Sequence, residues 1–306
     1  MKFAYYPGCS LHSTAKEFGD STTAVCKALG NDLQEIPDWS CCGATSAHAT
    51  NHELAVALPA RNLGLAEKMG LDVVAPCAAC YNRLKSAEVT MKDNGKLAEE
   101  INSTLAAKYT GAITVRPLID PLSTPEVLEA LEKLTRRPLS GLKVACYYGC
   151  LLVRPPKVLG FDDPEAPQSI DNIARAIGAE PVEWHYKNEC CGASFSLTRV
   201  DMVHKMTHDI LLRAKKAGAN AIACACPLCQ ANLDMRQAEI EKKYGESYNL
   251  PVFYITELMA LAMDLPEARS YLGKHMVDCS SAVAQIGKQP VAAEAECGSD
   301  GCNCGQ

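Results

Sequence analysis

No stretch of the 306-residue chain reaches eighteen uninterrupted apolar residues, so no bilayer-spanning helix is expected. The opening segment, MKFAYYPGCSLHST, lacks the apolar core of a secretion signal, which points to a cytoplasmic protein. No stripe of basic residues stands out and the formal charge is -6, which argues against nucleic acid as a partner. The Gly-x-Gly-x-x-Gly fingerprint of dinucleotide-binding turns is missing too, so flavin or nicotinamide is expected on a different polypeptide.

What the chain has is length and cysteine. Its 306 residues suit two domains of ordinary size, and 48% hydrophobic with 22% charged residues reads as globular. Seventeen cysteines would suggest a disulfide framework in a small secreted chain. Here the count is odd and the chain is large enough to fold on its core, so metal ligation in a reducing compartment explains them better.

Internal similarity organises the sequence. KFAYYPGC at 2–9 matches KVACYYGC at 143–150, WSCCGA at 39–44 matches NECCGA at 188–193, and PCAACYNRL at 76–84 matches ACPLCQANL at 225–233. The first pair is offset by 141 positions and the other two by 149. Eight residues are therefore inserted in the second unit, most naturally within the Pro-rich RPPKVLGFDDPEAP at 154–167.

The background repeats as well. A helix with Val25 and Leu29 at i,i+4 stops at Gly30; Ile170, Ile173, Ala174 and Ile177 repeat it before Gly178. Short strands LQEIP and EPVEW follow, then a longer helical region, then strands LDVVAP and NAIACA leading into the last cysteine pair. A helix around 98–107 with a strand at 113–119, and a strand and helix at 250–263, complete the units. The expected fold is α/β: two similar, mostly parallel-sheet domains made by duplication, their Cys-rich loops converging between them. Pro138 and Gly141 mark a boundary, giving domains 1–140 and 141–306.

The two sets are Cys9, Cys41, Cys42, Cys77 and Cys80, and Cys150, Cys190, Cys191, Cys226 and Cys229. Each reads C-x31–39-CC-x34-C-x2-C and falls just after predicted strands. Thiolates favour soft centres, zinc or iron–sulfur. Zinc takes four ligands and five converge here, which favours an irregular iron–sulfur assembly, although zinc at one or both sites stays open. A thioredoxin-like dithiol is disfavoured because the vicinal pair and upstream cysteine recur with each CxxC.

On these residues (PGC at 7–9, CCG at 41–43, CAAC at 77–80, YGC at 148–150, CCG at 190–192, CPLC at 226–229) the chain resembles the B subunit of the CoB–CoM heterodisulfide reductase of methanogenic archaea, up to about residue 265. The resemblance implies a non-cubane [4Fe-4S] cluster on each set of five thiolates, the two facing each other across the domain interface. It implies reduction of the mixed disulfide of coenzymes M and B to two thiols, the final step of methanogenesis. It also implies two partners, a ferredoxin-like C subunit and a flavin-bearing A subunit, within a larger hydrogenase- or formate dehydrogenase-linked complex. The rival readings are an iron–sulfur electron-transfer component of a glycolate, lactate or thiol:fumarate oxidoreductase, and a zinc-stabilised scaffold that only binds partners.

The substrate implied is anionic at both ends, which makes Arg83, Lys187, Arg154 and Arg199 candidate contacts, with Arg83 and Lys187 preferred. His12 or His185 is expected to relay a proton. Cys26, Cys146 and Cys224 lie outside the repeated set and read as core residues. Cys279, Cys297, Cys302 and Cys304, in the tail from about 275, have no counterpart in the first unit.

Overall fold

A computed structural model describes residues 1–44 and 47–287. Among these residues, eight strands form two separate four-stranded parallel sheets. The first contains β1 (Lys2–Tyr5), β2 (Asp32–Glu35), β3 (Val73–Ala75) and β4 (Val115–Pro117), in spatial order β2-β1-β3-β4. The second contains β5 (Lys143–Tyr147), β6 (Glu180–Pro181), β7 (Ala221–Cys224) and β8 (Val252–Tyr254), in order β6-β5-β7-β8. Duplication of one α/β unit is thus visible in connectivity as well as in sequence.

Helices cover both sheets, so the inner strands are mostly apolar: VVA in β3 and AIAC in β7 are buried at every position, and β1 and β5 at all but their first lysine. The helix Ser169–Ala176 buries Ile170, Ile173 and Ala174, one stripe at helical spacing. The helix His52–Met69 opens at Asn51, whose side chain accepts from the Leu54 N–H, and closes at Gly70 in the left-handed conformation.

Two boundaries depart from the sequence reading. The helix before Gly30 runs from Lys16 to Ala28, several residues longer than its apolar spacing announces. The strand expected over 113–119 ends at Pro117, and a short helix, Ile119–Leu122, takes over. Pro121 sits in the first turn of that helix, where a missing N–H costs nothing because it has no intrahelical acceptor.

The units interlock reciprocally. The helix Lys16–Ala28 of the first packs on Ile255–Ala262 of the second, while Ser169–Ala176 of the second packs on Ile119–Leu122 and Pro125–Leu134 of the first. Across the former seam Phe18 stacks on Tyr254, ring centroids 4.2 Å apart, and the buried Ser21 and Thr256 hydroxyls lie 2.7 Å apart. The inserted segment seals another face: Tyr81 donates from its hydroxyl to the Leu159 carbonyl (2.9 Å), and Asn82 Nδ2 donates to the carbonyls of Leu151 (3.3 Å) and Arg154 (3.0 Å).

Candidate functional site

Because every strand of a sheet runs the same way, all loops leaving carboxyl ends open on one edge. Cys9 lies in the turn Gly8–Leu11 after β1, Cys41 and Cys42 follow β2, and Cys77 and Cys80 open the helix Ala78–Asp93 directly after β3. The second unit repeats this with Cys150 after β5, Cys190 and Cys191 after β6, and Cys226 and Cys229 at the helix Pro227–Met235 after β7. Cys42 and Cys80 sulfurs lie 3.4 Å apart, and those of Cys191 and Cys229 3.6 Å apart. The Gly43 N–H donates to Cys41 Sγ (3.4 Å) and the Gly192 N–H to Cys190 Sγ (3.3 Å), the same backbone-to-sulfur contact in both units.

The two sets meet. The Cys77 and Cys226 thiols are close enough across the interface to shift each other's ionisation in opposite directions. A small cavity of about 70 Å³ is lined by Cys150, Cys190, Cys191, Cys226 and Cys229 together with Ala78 and Ala79 of the first unit. A larger cleft of about 400 Å³, lined by Tyr81, Arg116 and Asp162 among others, has no cysteine in its wall.

Thiol packing divides the protons unequally. Hydrogen bonds from Cys41 and Cys80 pull the Cys42 thiol down to about 3, and a hydrogen bond from Cys150 pulls Cys190 down to about 6. Cys229 and Cys77 together hold Cys226 well below the usual thiol range. Their donors go the other way: the hydrogen bond to Cys42 raises Cys41, and that to Cys226 raises Cys77. Each set thus presents at least one ready thiolate, the form in which cysteine binds metal.

Two tyrosines escaped the sequence reading. Tyr6 is fully buried against Cys80, Cys42, Cys41 and Cys9, and its hydroxyl donates to the carbonyl of Ser40, just before the vicinal pair (2.8 Å). Tyr147 repeats this against Cys191, Cys229, Cys150 and Cys190, donating to the Glu189 carbonyl (2.6 Å). Burial, then the neighbouring sulfurs, push both phenols well above their usual pKa, so they act as fixed donors that hold the vicinal-cysteine loop. The signal was present: each stands three residues before the first cysteine of its set.

The cationic residues separate. Lys187 is corrected: it is buried, its ammonium 2.7 Å from Asp171 Oδ1, with the Tyr148 hydroxyl donating to the other oxygen at 2.7 Å. A charge already paired inside the core is not offered to a ligand, and no local pattern links Lys187 to a partner sixteen positions upstream. Arg154 pairs with the exposed Glu165 (3.0 Å) and Arg199 with Asp201 (3.0 Å), both at the surface. Arg83 is half-buried, its Nη2 2.6 Å from Asn82 Oδ1; burial lowers its pKa while the charge of Cys42 raises it. His12 Nε2 lies 3.4 Å from Glu35 Oε1 and its ring meets Trp39 edge-on, near the first set; His185 is exposed.

Cys26, Cys146 and Cys224 are core residues, burial pushing Cys26 up to about 12. Cys279 is buried, also pushed up to about 12 by burial, with its sulfur 3.6 Å from the Val277 carbonyl. Cys297, Cys302 and Cys304 lie outside the described residues.

The donor set fits a thiolate-ligated group. A Cβ on Gly8 would come within 2.9 Å of Cys80 Sγ, and one on Gly149 within 3.1 Å of Cys229 Sγ, so both glycines keep the backbone clear of sulfur. Among the described residues, no group of three or more His, Cys, Asp and Glu side chains is preformed around a single metal ion.

The family model for the cysteine-rich CCG domain matches residues 3–85 and again 144–234. The chain is 35% identical over 282 residues (91% of this chain, 98% of the relative) to the 8-methylmenaquinol:fumarate reductase membrane anchor subunit of Wolinella succinogenes. It is 30% identical over 268 residues (86% and 89%) to the B subunit of the ferredoxin:CoB-CoM heterodisulfide reductase of Methanosarcina mazei. In structure it is similar to a hypothetical protein from Helicobacter pylori, with a TM-score of 0.70 at 13% identity, covering 90% of this chain and 52% of that one; that likeness concerns the fold. No helix among the described residues is long and apolar enough to cross a membrane. The chain belongs to the family of cysteine-rich CCG-domain proteins, carries that domain twice, and over most of its length is similar to the B subunit of heterodisulfide reductase.

Proposed function

We propose that the chain is the catalytic component of a disulfide oxidoreductase, reducing the mixed disulfide of coenzymes M and B to two thiols with two electrons and two protons. The observation that carries this is the meeting of two equivalent five-cysteine sets: Ala78 and Ala79, between Cys77 and Cys80, close the cavity lined by the five cysteines of the second set. Cys9, Cys41, Cys42, Cys77 and Cys80 would hold one non-cubane [4Fe-4S] cluster, and Cys150, Cys190, Cys191, Cys226 and Cys229 the other. When bound, such clusters supply one electron each beside a metal face for sulfur, which matches the two-electron demand of one S–S bond.

The chain's own residues do the rest. Tyr6 and Tyr147 hold the vicinal-cysteine loops, and the Gly43 and Gly192 N–H groups point at sulfur and favour its charged form. Arg83 is the anion contact for one end of the substrate, being half-buried and within electrostatic reach of Cys42. His12 or His185 would deliver a proton to a product thiolate. Electrons come from a ferredoxin-like protein served by a flavin-bearing one, and the complex is cytoplasmic.

Anaerobic isolation should give a brown protein with about eight iron atoms per chain and activity towards the heterodisulfide with reduced viologen as donor. Arg83→Ala should raise KM several-fold at unchanged iron content. Colourless, zinc-loaded protein would support the scaffold reading instead. A second reading is favoured by the fumarate reductase relative, 35% identical across 91% of the chain: an electron-transfer component linking a fumarate-reducing flavoprotein to a quinol or thiol. Reduction by a menaquinol and not by coenzyme thiols would select it.

A further inference from the structure

Matching the repeats brings Arg83 and Asn232 to one position, three residues after the last cysteine of each set, in Cys80-Tyr81-Asn82-Arg83 and Cys229-Gln230-Ala231-Asn232. Both lie on the helix that leaves the central strand, at the same register relative to the cysteines of their own set. In the second unit Asn232 is buried and its Nδ2 lies 3.0 Å from the Cys191 carbonyl and 3.8 Å from Cys191 Sγ. Its Oδ1 accepts from Ser196 Oγ (3.0 Å) and Arg236 Nε (3.3 Å), which fixes the amide with its N–H side towards sulfur.

In the first unit the matching sulfur is Cys42, and the side chain at the matching helix position carries a guanidinium within electrostatic reach of it. Arg83 is steered by Asn82 Oδ1, while Asn82 Nδ2 binds the carbonyls of Leu151 and Arg154 in the second unit. The aim of the Arg83 charge is therefore set by the docking of the two units. Solvent acts in the same direction: Cys9 and Cys41 are exposed, whereas Cys150 and Cys190 are half-buried. A full positive charge and better access to water both favour added negative charge, and a neutral amide in a drier setting favours it less.

We propose that Arg83 and Asn232 are positioning residues that make the two cysteine sites electrostatically unequal, so that the first-unit site takes up the first electron from the donor and the second-unit site the next. The inference rests on the reading that both sets hold iron–sulfur clusters. The same fold thus gives two sites a fixed order of reduction, through one substitution between repeats.

The test is a redox titration of the whole chain, reconstituted anaerobically with iron and sulfide, followed by visible absorption and electron paramagnetic resonance. Wild type should show two separated one-electron steps. Arg83→Asn, which copies the second unit, should lower the upper step about tenfold in equilibrium constant, about 59 mV for a one-electron couple. Arg83→Lys should leave it near its place, and Asn232→Arg should raise the lower step. Iron-replete Arg83→Asn with both steps unmoved, or coincident steps in wild type, overturns this inference alone. A chain that takes up no iron overturns it together with the functional reading beneath it.

Discussion

Replacing Gly8 with alanine tests most directly whether these turns are shaped around sulfur. Gly8 has φ +69°, in the left-handed region, where an L side chain costs roughly 1–2 kcal/mol. The added Cβ would stand 2.9 Å from Cys80 Sγ, short of ordinary carbon contact by roughly half an ångström or more. Cys80 lies on the buried face of the sixteen-residue helix Ala78–Asp93, so it yields only by moving the helix or leaving its rotamer. Overpacking of that kind adds about 1–3 kcal/mol. Gly70 separates the two costs: it has φ +66° and open space where its Cβ would go, so Gly70→Ala carries the backbone cost alone. Urea unfolding should therefore rank Gly8→Ala below Gly70→Ala by about 1–3 kcal/mol. Metal analysis should show Gly8→Ala losing about half of the bound metal and Gly70→Ala none. Equal stability and equal metal content in the two variants would refute the claim that Gly8 exists to let sulfur close on the turn.

Lys187→Met should destabilise the fold by about 3–5 kcal/mol, because it strands a buried carboxylate on Asp171. Adding Asp171→Leu should recover much of the loss in a denaturant titration. His275 supplies a pH dependence. Burial pushes its imidazole down, but the hydrogen bond and charge of Glu257, with Asp234 and Glu17, outweigh that and hold it above the ordinary value. A pKa raised by folding contributes stability that is complete below the ordinary imidazole value of about 6.5 and lost as pH rises through the folded value. Unfolding midpoints of the wild type should fall from that point upward, and those of His275→Gln should be flatter across the same window.

The sheet architecture was legible because its signals are local: apolar runs of three to five residues, glycine stops, and cysteines just beyond each strand, all occurring twice. Element ends were less so. The strand at 113–119 carries β-type residues past Pro117, yet only the pairing of β4 with β3 decides where the ladder stops, and that partner is forty residues away. Likewise the apolar spacing at Val25 and Leu29 marks the end of its helix but not the beginning, because residues from Lys16 onward gain their helical state by packing on Ile255–Ala262 of the other unit.

The site divides along the same line. Ten cysteines declare themselves by repetition, whereas the fate of each cation depends on partners that spacing does not reveal. Lys187 and Arg83 look alike in sequence, both basic and both near a cysteine. Asp171 arrives beside Lys187 from the preceding helix and neutralises it inside the core, while Arg83 meets the Asn82 amide and lies within electrostatic reach of Cys42. Tyr6 and Tyr147 show the converse. Their repeated place three residues before the first cysteine of each set marks them, but their role comes from a carbonyl 34 or 42 residues on, at Ser40 or Glu189. Duplication therefore fixes where sulfur gathers, and the differences between copies, at positions such as Arg83 and Asn232, are where two similar sites acquire separate work.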